Sequence, residues 1–240
     1  LFKDSSINTD GGHLWIGGGA GTSTWNGLTV GDGYAVPRAG VTSTGGIDAN
    51  DRYVVATNTS NFNPGVYFEG TSIDLAGGDI AVYAQNTENR GGGFMTLGSN
   101  TLNANKVYIK GNSSGGGGRA ALIGFHHPIY PSIFTIATVS TAIDAVTLDF
   151  DSTGGTNGTM GSAISGTFDI LAENGGGISF NSVGKSGNPG LRLGYRNSAD
   201  GIFNVLSSSG AINFDLGSQG LTYEPGPGSS SVSLGRKEGS

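Results

Sequence analysis

The fold predicted by this 240-residue sequence is all-β: a right-handed parallel β-helix, or β-solenoid, with coils of about 27 to 35 residues. Three observations carry the prediction. One pattern is written twice in succession, GVYFEGTSIDLAGGDIAVYAQNTENRGG being answered by GFMTLGSNTLNANKVYIKGNSSGGGG, so that Val66 maps onto Phe94, Ile80 onto Val107 and Asn86 onto Asn112. Self-similarity at that period, with the residues themselves changing, marks stacked structural units rather than a compact domain. Short apolar-polar alternations bounded by Gly, Asn, Asp and Ser recur along the chain, whereas no stretch shows the i, i+3, i+4, i+7 spacing of an amphipathic helix. Glycine supplies 46 of the 240 residues, against a usual share of about 7%, which suits a chain that turns a corner every few residues.

In chain order, strands are expected at HLWIG (13–17), LTVGD (28–32), RYVVAT (52–57), VYFEG (66–70), DIAVYA (79–84), FMTLG (94–98) and KVYIKG (106–111). YVVATNT at 53–59 aligns with AVYAQNT at 81–87 and extends the repeat upstream, so 1–118 reads as regular coils. Residues 119–162 break the period and read as one irregular coil with a protruding loop, flanked by the strands IFTIATV and AVTLDFD. Residues 163–240 return to repetition at a longer spacing, with Phe168 answered by Phe203 and Phe180 by Phe214, before a C-terminal tail. The whole is one elongated domain of some nine coils, a rod on the order of 40 Å at roughly 4.8 Å per coil.

The alignment puts an asparagine at the same point of three units, Asn58, Asn86 and Asn112. Identical amides on stacked coils form a hydrogen-bonded ladder along the axis, which is the expected role of these three. Asn58, Asn112 and Asn157 also begin N-glycosylation sequons, matches that arise readily in a chain this rich in Asn, Ser and Thr.

A net charge of −6 and a pI near 4.9 leave no basic stripe for phosphates, so neither a nucleic acid nor an anionic membrane surface is an expected partner. No apolar run reaches the roughly 18 residues of a membrane span, so no membrane insertion is expected in this segment. With no cysteine there is neither disulfide nor thiolate site. The chain opens at Leu1 without a signal peptide, and it reads as a segment of something longer or as a subunit that stacks end to end.

No catalytic residue and no metal or other cofactor is expected. His126 and His127 are adjacent, so alternation sends them to opposite faces, and neither Cys nor a third ligand stands at coordinating distance in sequence. With Tyr130 they mark the protruding loop as the candidate ligand-contact loop. Asp149 and Asp151, with Asp144 nearby, share a strand face at roughly 7 Å, a separation that suits carbohydrate acid-base chemistry, but the sequence around them lacks the clustered basic groups of such a groove. Trp15 and Trp25 offer either a sugar platform or core packing. The glycine runs at 17–19, 91–93, 115–118 and 175–177 follow strands and never open a helix, so they cradle no phosphate.

The segment GGHLWIGGGAGTSTWNGLTVGDGYAV, followed by GGDIAVYAQNT and GGGFMTLGSNTLNANKVYIKGNSS, resembles the repeat regions of filamentous-haemagglutinin-like bacterial surface adhesins, over most of residues 1–220. That resemblance implies a right-handed parallel β-helix, export to the cell surface or beyond, and a role as stalk or adhesive fibre. The expected partners are further coils or copies of the chain, end to end, and host or matrix glycans. It transfers no catalytic residue. The expected function is therefore a structural segment of an extracellular fibre or adhesin, with a β-helical carbohydrate-active enzyme or a non-catalytic glycan-binding module as the alternative.

Overall fold

The computed structural model describes residues 2–18, 23–25, 28–30, 46–47, 53–54, 64–86, 92–113, 118–124, 132–152, 160–194, 200–223 and 230–236. Three parallel sheets run along one axis, and the chain visits them in rotation. The first holds Phe2–Lys3, Val66–Glu69, Gly92–Leu97, Arg119–Ile123, Met160–Ile164, Leu191–Leu193 and Leu221–Tyr223. The second holds Ser6–Asn8, Ser72–Asp74, Ser99–Ala104, Ser132–Thr138, Gly166–Ala172, Gly201–Ser207 and Ser231–Arg236. The third holds Leu14–Gly18, Ile80–Asn86, Val107–Ser113, Val146–Asp151, Ile178–Val183 and Ile212–Asp215. This is a three-sided parallel β-helix. Among the described residues the only helical turn is a 3-10 turn at Gly217–Gln219.

Alternation decides which side chains enter the lumen. In Val107–Ser113 and Gly201–Ser207 every second residue is buried, starting from the first. Phenylalanine dominates the lumen. Phe2, Phe68, Phe94, Phe134, Phe168 and Phe203 form a continuous column with successive ring centroids 5.5, 5.4, 5.6, 5.1 and 5.5 Å apart. A second column of Phe150, Phe180 and Phe214, spaced 5.8 and 5.1 Å, joins it where Phe180 lies 4.8 Å from Phe203. Each buried ring contributes about 1.5–3 kcal/mol by leaving water, and ring contacts at these separations add to it. The first sheet is buried on both faces: Tyr67, Met95, Leu97, Leu122 and Ala163 form a separate cluster on the side away from the lumen.

Corners between the second and third sheets reuse one device. Asp10–Gly11, Ala76–Gly77 and Asn174–Gly175 all have positive φ, and each pair is closed by a backbone bond across it: Gly12 N to Thr9 O at 3.1 Å, Gly78 N to Leu75 O at 2.9 Å, and Gly176 N to Glu173 O at 3.1 Å. Two consecutive left-handed residues under such a bond make a tight turn that Asn, Asp and Gly adopt most cheaply. The glycine after the second and third pairs answers a second need. A Cβ on Gly78 would sit 2.1 Å from Gly12 O, and one on Gly176 would sit 2.4 Å from Ser140 O, because successive corners stack backbone on backbone.

Register confirms several sequence correspondences and corrects others. Val66 pairs with Phe94, Ile80 with Val107, Phe168 with Phe203 and Phe180 with Phe214. Asn86, however, pairs with Ser113, and Asn112 pairs with Gln85. The two strands keep one offset throughout, since a one-residue slip would turn every lumen residue outward. The asparagine ladder through Asn86 and Asn112 is thereby excluded, and Asn58 lies outside the described residues. Tyr53–Val54 pairs antiparallel with Gly46–Ile47 rather than stacking beneath Ala81, and Ser23–Trp25 pairs antiparallel with Leu28–Val30. The coil beneath Ile80 is instead supplied by Leu14–Gly18. Residues 1–118 are thus not uniformly regular coils, and the stack has seven strands in its longest sheets, not nine, giving a described rod of roughly 30 Å. Conversely the described strands of 119–162 keep register with their neighbours in all three sheets, while 125–131, where the protruding loop is expected, lie outside the described residues.

Candidate functional site

The outward face of the third sheet gathers the chemistry-bearing side chains. Three outward rows cross it. One carries Trp15, Ala81, Tyr108, Thr147 and Ser179; the next carries Gly17, Tyr83, Lys110, Asp149 and Asn181; the last carries Gln85, Asn112, Asp151 and Val183. These positions face out because Ile80, Val82, Val107 and Ile109 between them are committed to the lumen.

In the middle row, charges and amides are stitched along the axis. Lys110 Nζ lies 3.2 Å from Asp149 Oδ2, and Asn181 Nδ2 donates to Asp149 Oδ1 at 3.0 Å. Burial lowers the Lys110 ammonium, but the Asp149 charge and hydrogen bond outweigh it and hold Lys110 above the ordinary lysine value. Burial raises the Tyr108 hydroxyl, with Asp149 and Tyr83 adding to the rise and Lys110 opposing it, so Tyr108 remains a protonated donor at neutral pH. Burial and the neighbouring Asp149 charge push Asp151 above the usual carboxylate range, against the pull of Lys110 and Lys185.

Asp149 and Asp151 do share the outward face, as alternation requires. Asp144 does not join them, since it sits at a corner bonded to Lys106 at 2.8 Å. His126, His127 and Tyr130 lie outside the described residues, as does Asn58. Trp15 is on the outward face and half-buried. Among the described residues, no group of three or more His, Cys, Asp or Glu could hold a metal ion, and no helix is long and apolar enough to cross a membrane.

Among the described residues, amides bond between coils in separate mixed pairs: three times an asparagine donates to an aspartate of the preceding coil, Asn105 to Asp79 at 2.7 Å, Asn181 to Asp149 at 3.0 Å and Asn204 to Asp169 at 2.8 Å. A carboxylate can only accept and an amide nitrogen can only donate, so mixed pairs satisfy both partners directly. The buried structural asparagine is Asn100, whose Oδ1 accepts from Thr71 N at 2.9 Å while its Nδ2 donates to Leu97 O at 2.9 Å. Tyr83, Tyr108 and Lys110 escaped attention in the sequence, although the paired alternation in IAVYAQN and VYIKGNS places them on one face.

A concavity of about 490 Å³ lies at the corner of the second and third sheets, lined among others by Asp74, Asn103, Ala137, Val139 and Glu173. The two carboxylates belong to coils three steps apart, so they do not converge on one point.

Fold and site together define the class: a three-sided parallel β-solenoid with an aromatic and polar outward face. Comparison with protein-family models, curated proteins and solved structures returns no match.

Proposed function

We propose that this chain is a shaft segment of an extracellular bacterial surface fibre of the adhesin kind, continued end to end by further coils of a longer chain or of a second copy. One observation carries this reading. At both ends of the described stack the lumen residues are only partly buried, Phe2, Ile7 and Leu14 at one end and Ile212, Phe214, Leu221 and Val232 at the other, whereas their equivalents in the middle coils are at most 1% exposed, as for Phe134, Phe150 and Phe168. A terminal strand beside half-buried core residues is a template for another coil, and head-to-tail contact of unlike ends propagates into a filament. The sequence resemblance to surface adhesins supports the export and the extracellular location.

Negative-stain microscopy and sedimentation over a range of concentrations provide the test. Rods longer than one chain, lost in Ile212→Lys and Phe214→Lys, are expected. Concentration-independent monomers that remain compact and globular would overturn the reading.

A further inference from the structure

The first three coils place three rings around one small residue. Trp15 and Tyr108 are the axial neighbours of Ala81 on either side, Tyr83 stands two positions along from Ala81 on the same face, and Ala81 itself is 1% exposed. Trp15 lies flat on the sheet, because a Cβ on Gly17 would sit 2.2 Å from its ring. The result is an aromatic floor spanning two coil spacings, roughly 10 Å along the axis, in which each of the three residues keeps part of its surface open to solvent.

Polar groups border this floor on its far side. The Lys110 ammonium and Asp149 carboxylate form a bonded pair one coil on, with Asp151 beside them and Lys185 near enough to act on it. Within this border two ammonium groups stand against two carboxylates, so it offers donors and acceptors with neither charge in excess. A polyanion is opposed by the chain's net charge of −6, and a polycation finds no excess of carboxylates among these border groups. A ligand with an apolar C–H face for the rings and hydroxyls for a mixed donor-acceptor border fits both.

We propose that this face, across the first four coils, binds an uncharged oligosaccharide, whose sugar rings lie on Trp15, Tyr83 and Tyr108 and whose hydroxyls meet the Lys110–Asp149 pair. The site goes beyond the shaft reading and stands independently of it.

Titration calorimetry of the full chain with cellohexaose, laminarihexaose, mannohexaose and chitohexaose, and with a heparin hexasaccharide as the anionic comparator, tests it. At least one uncharged hexasaccharide should bind with little dependence on salt. Tyr83→Ala and Tyr108→Ala should each weaken that binding about tenfold, Tyr83→Phe should leave it within about twofold, and Ile143→Ser, at an exposed corner elsewhere, should not change it. Circular dichroism and thermal melts check that each variant folds, and if Tyr108→Ala does not, Tyr83→Ala against Tyr83→Phe decides. No binding of any uncharged hexasaccharide, binding of heparin alone, or affinity unchanged in Tyr83→Ala would overturn the site. Filament formation in the same variants is unaffected on this proposal, so failure of the shaft reading and failure of the site are separate results.

Discussion

At the scale of single residues, the outward face of the third sheet balances hydrogen bonding against crowded charge. Asp149 has two good partners in Lys110 and Asn181, whereas Asp151, two positions along, is raised by burial and by Asp149 itself. A carboxyl raised in the folded state contributes stability below the unfolded value of about 3.9, and loses that contribution as pH rises through the folded value. Asp151→Asn should therefore raise the melting temperature at neutral pH by about 1–2 °C, a modest effect because the group is partly solvated. The gain should vanish as pH falls below the ordinary aspartate range. Melts of both proteins from pH 3 to 8 provide the check, and a gain that persists at pH 3 would contradict the assignment.

The same scale shows why the asparagine alignment misled. Asn86 and Asn112 look equivalent in sequence because QNT and GNS match by eye, yet Asn112 stands beside Gln85 and Asp151 along the axis. What an outward amide needs is an acceptor one coil away, and Asp79, Asp149 and Asp169 supply it to Asn105, Asn181 and Asn204. Pairing of unlike residues leaves no identity for a self-alignment to find.

At the scale of the element, the recurrent corner Asp10–Gly11–Gly12, Ala76–Gly77–Gly78 and Asn174–Gly175–Gly176 separates two reasons for glycine. Gly77 has φ +103 with nothing near its missing Cβ, and Gly78 has its missing Cβ 2.1 Å from Gly12 O. Gly77→Ala should cost about 1 kcal/mol, the expense of a left-handed backbone. Gly78→Ala must also push two coils apart, and should cost about 2–3 kcal/mol. Urea unfolding of the two variants distinguishes them, and equal losses would refute the stacked-corner account. The glycine pairs were legible in the sequence as turns. That Gly78 and Gly176 serve close approach between coils was not, because the backbone they approach lies on another coil.

At the scale of the whole molecule, each coil rests only on its neighbours, so stability is a sum of coil terms and interface terms rather than one all-or-none core. The central lumen residues are closed on both sides and those at the ends on one. Amide hydrogen exchange should be slowest in Val107–Ser113, Ser132–Thr138, Val146–Asp151 and Gly166–Ala172, and fastest among the described strands in Phe2–Lys3, Ser6–Asn8 and Leu221–Tyr223. Uniform protection along the axis in an isolated monomer would contradict this picture. The same open ends underlie the proposed continuation into a fibre.

The sequence by itself determined the all-β class, the stacking of units and the registers from Val66 to Phe94 and from Phe168 to Phe203, because a lumen filled by alternating apolar side chains leaves a period in the chain that survives substitution. It also placed Asp149 and Asp151 on one face, since alternation is local. Only the tertiary structure decided that Tyr53–Val54 leaves the stack for an antiparallel pairing, that the described strands of 119–162 stay in register, and that Trp15 stands beside Ala81 from a coil 66 residues away. The physical reason is common to all three. Which strands become axial neighbours depends on where the chain re-enters the stack after a loop or corner, and the length of such a connection costs little free energy, so its sequence carries no imprint of the register that follows.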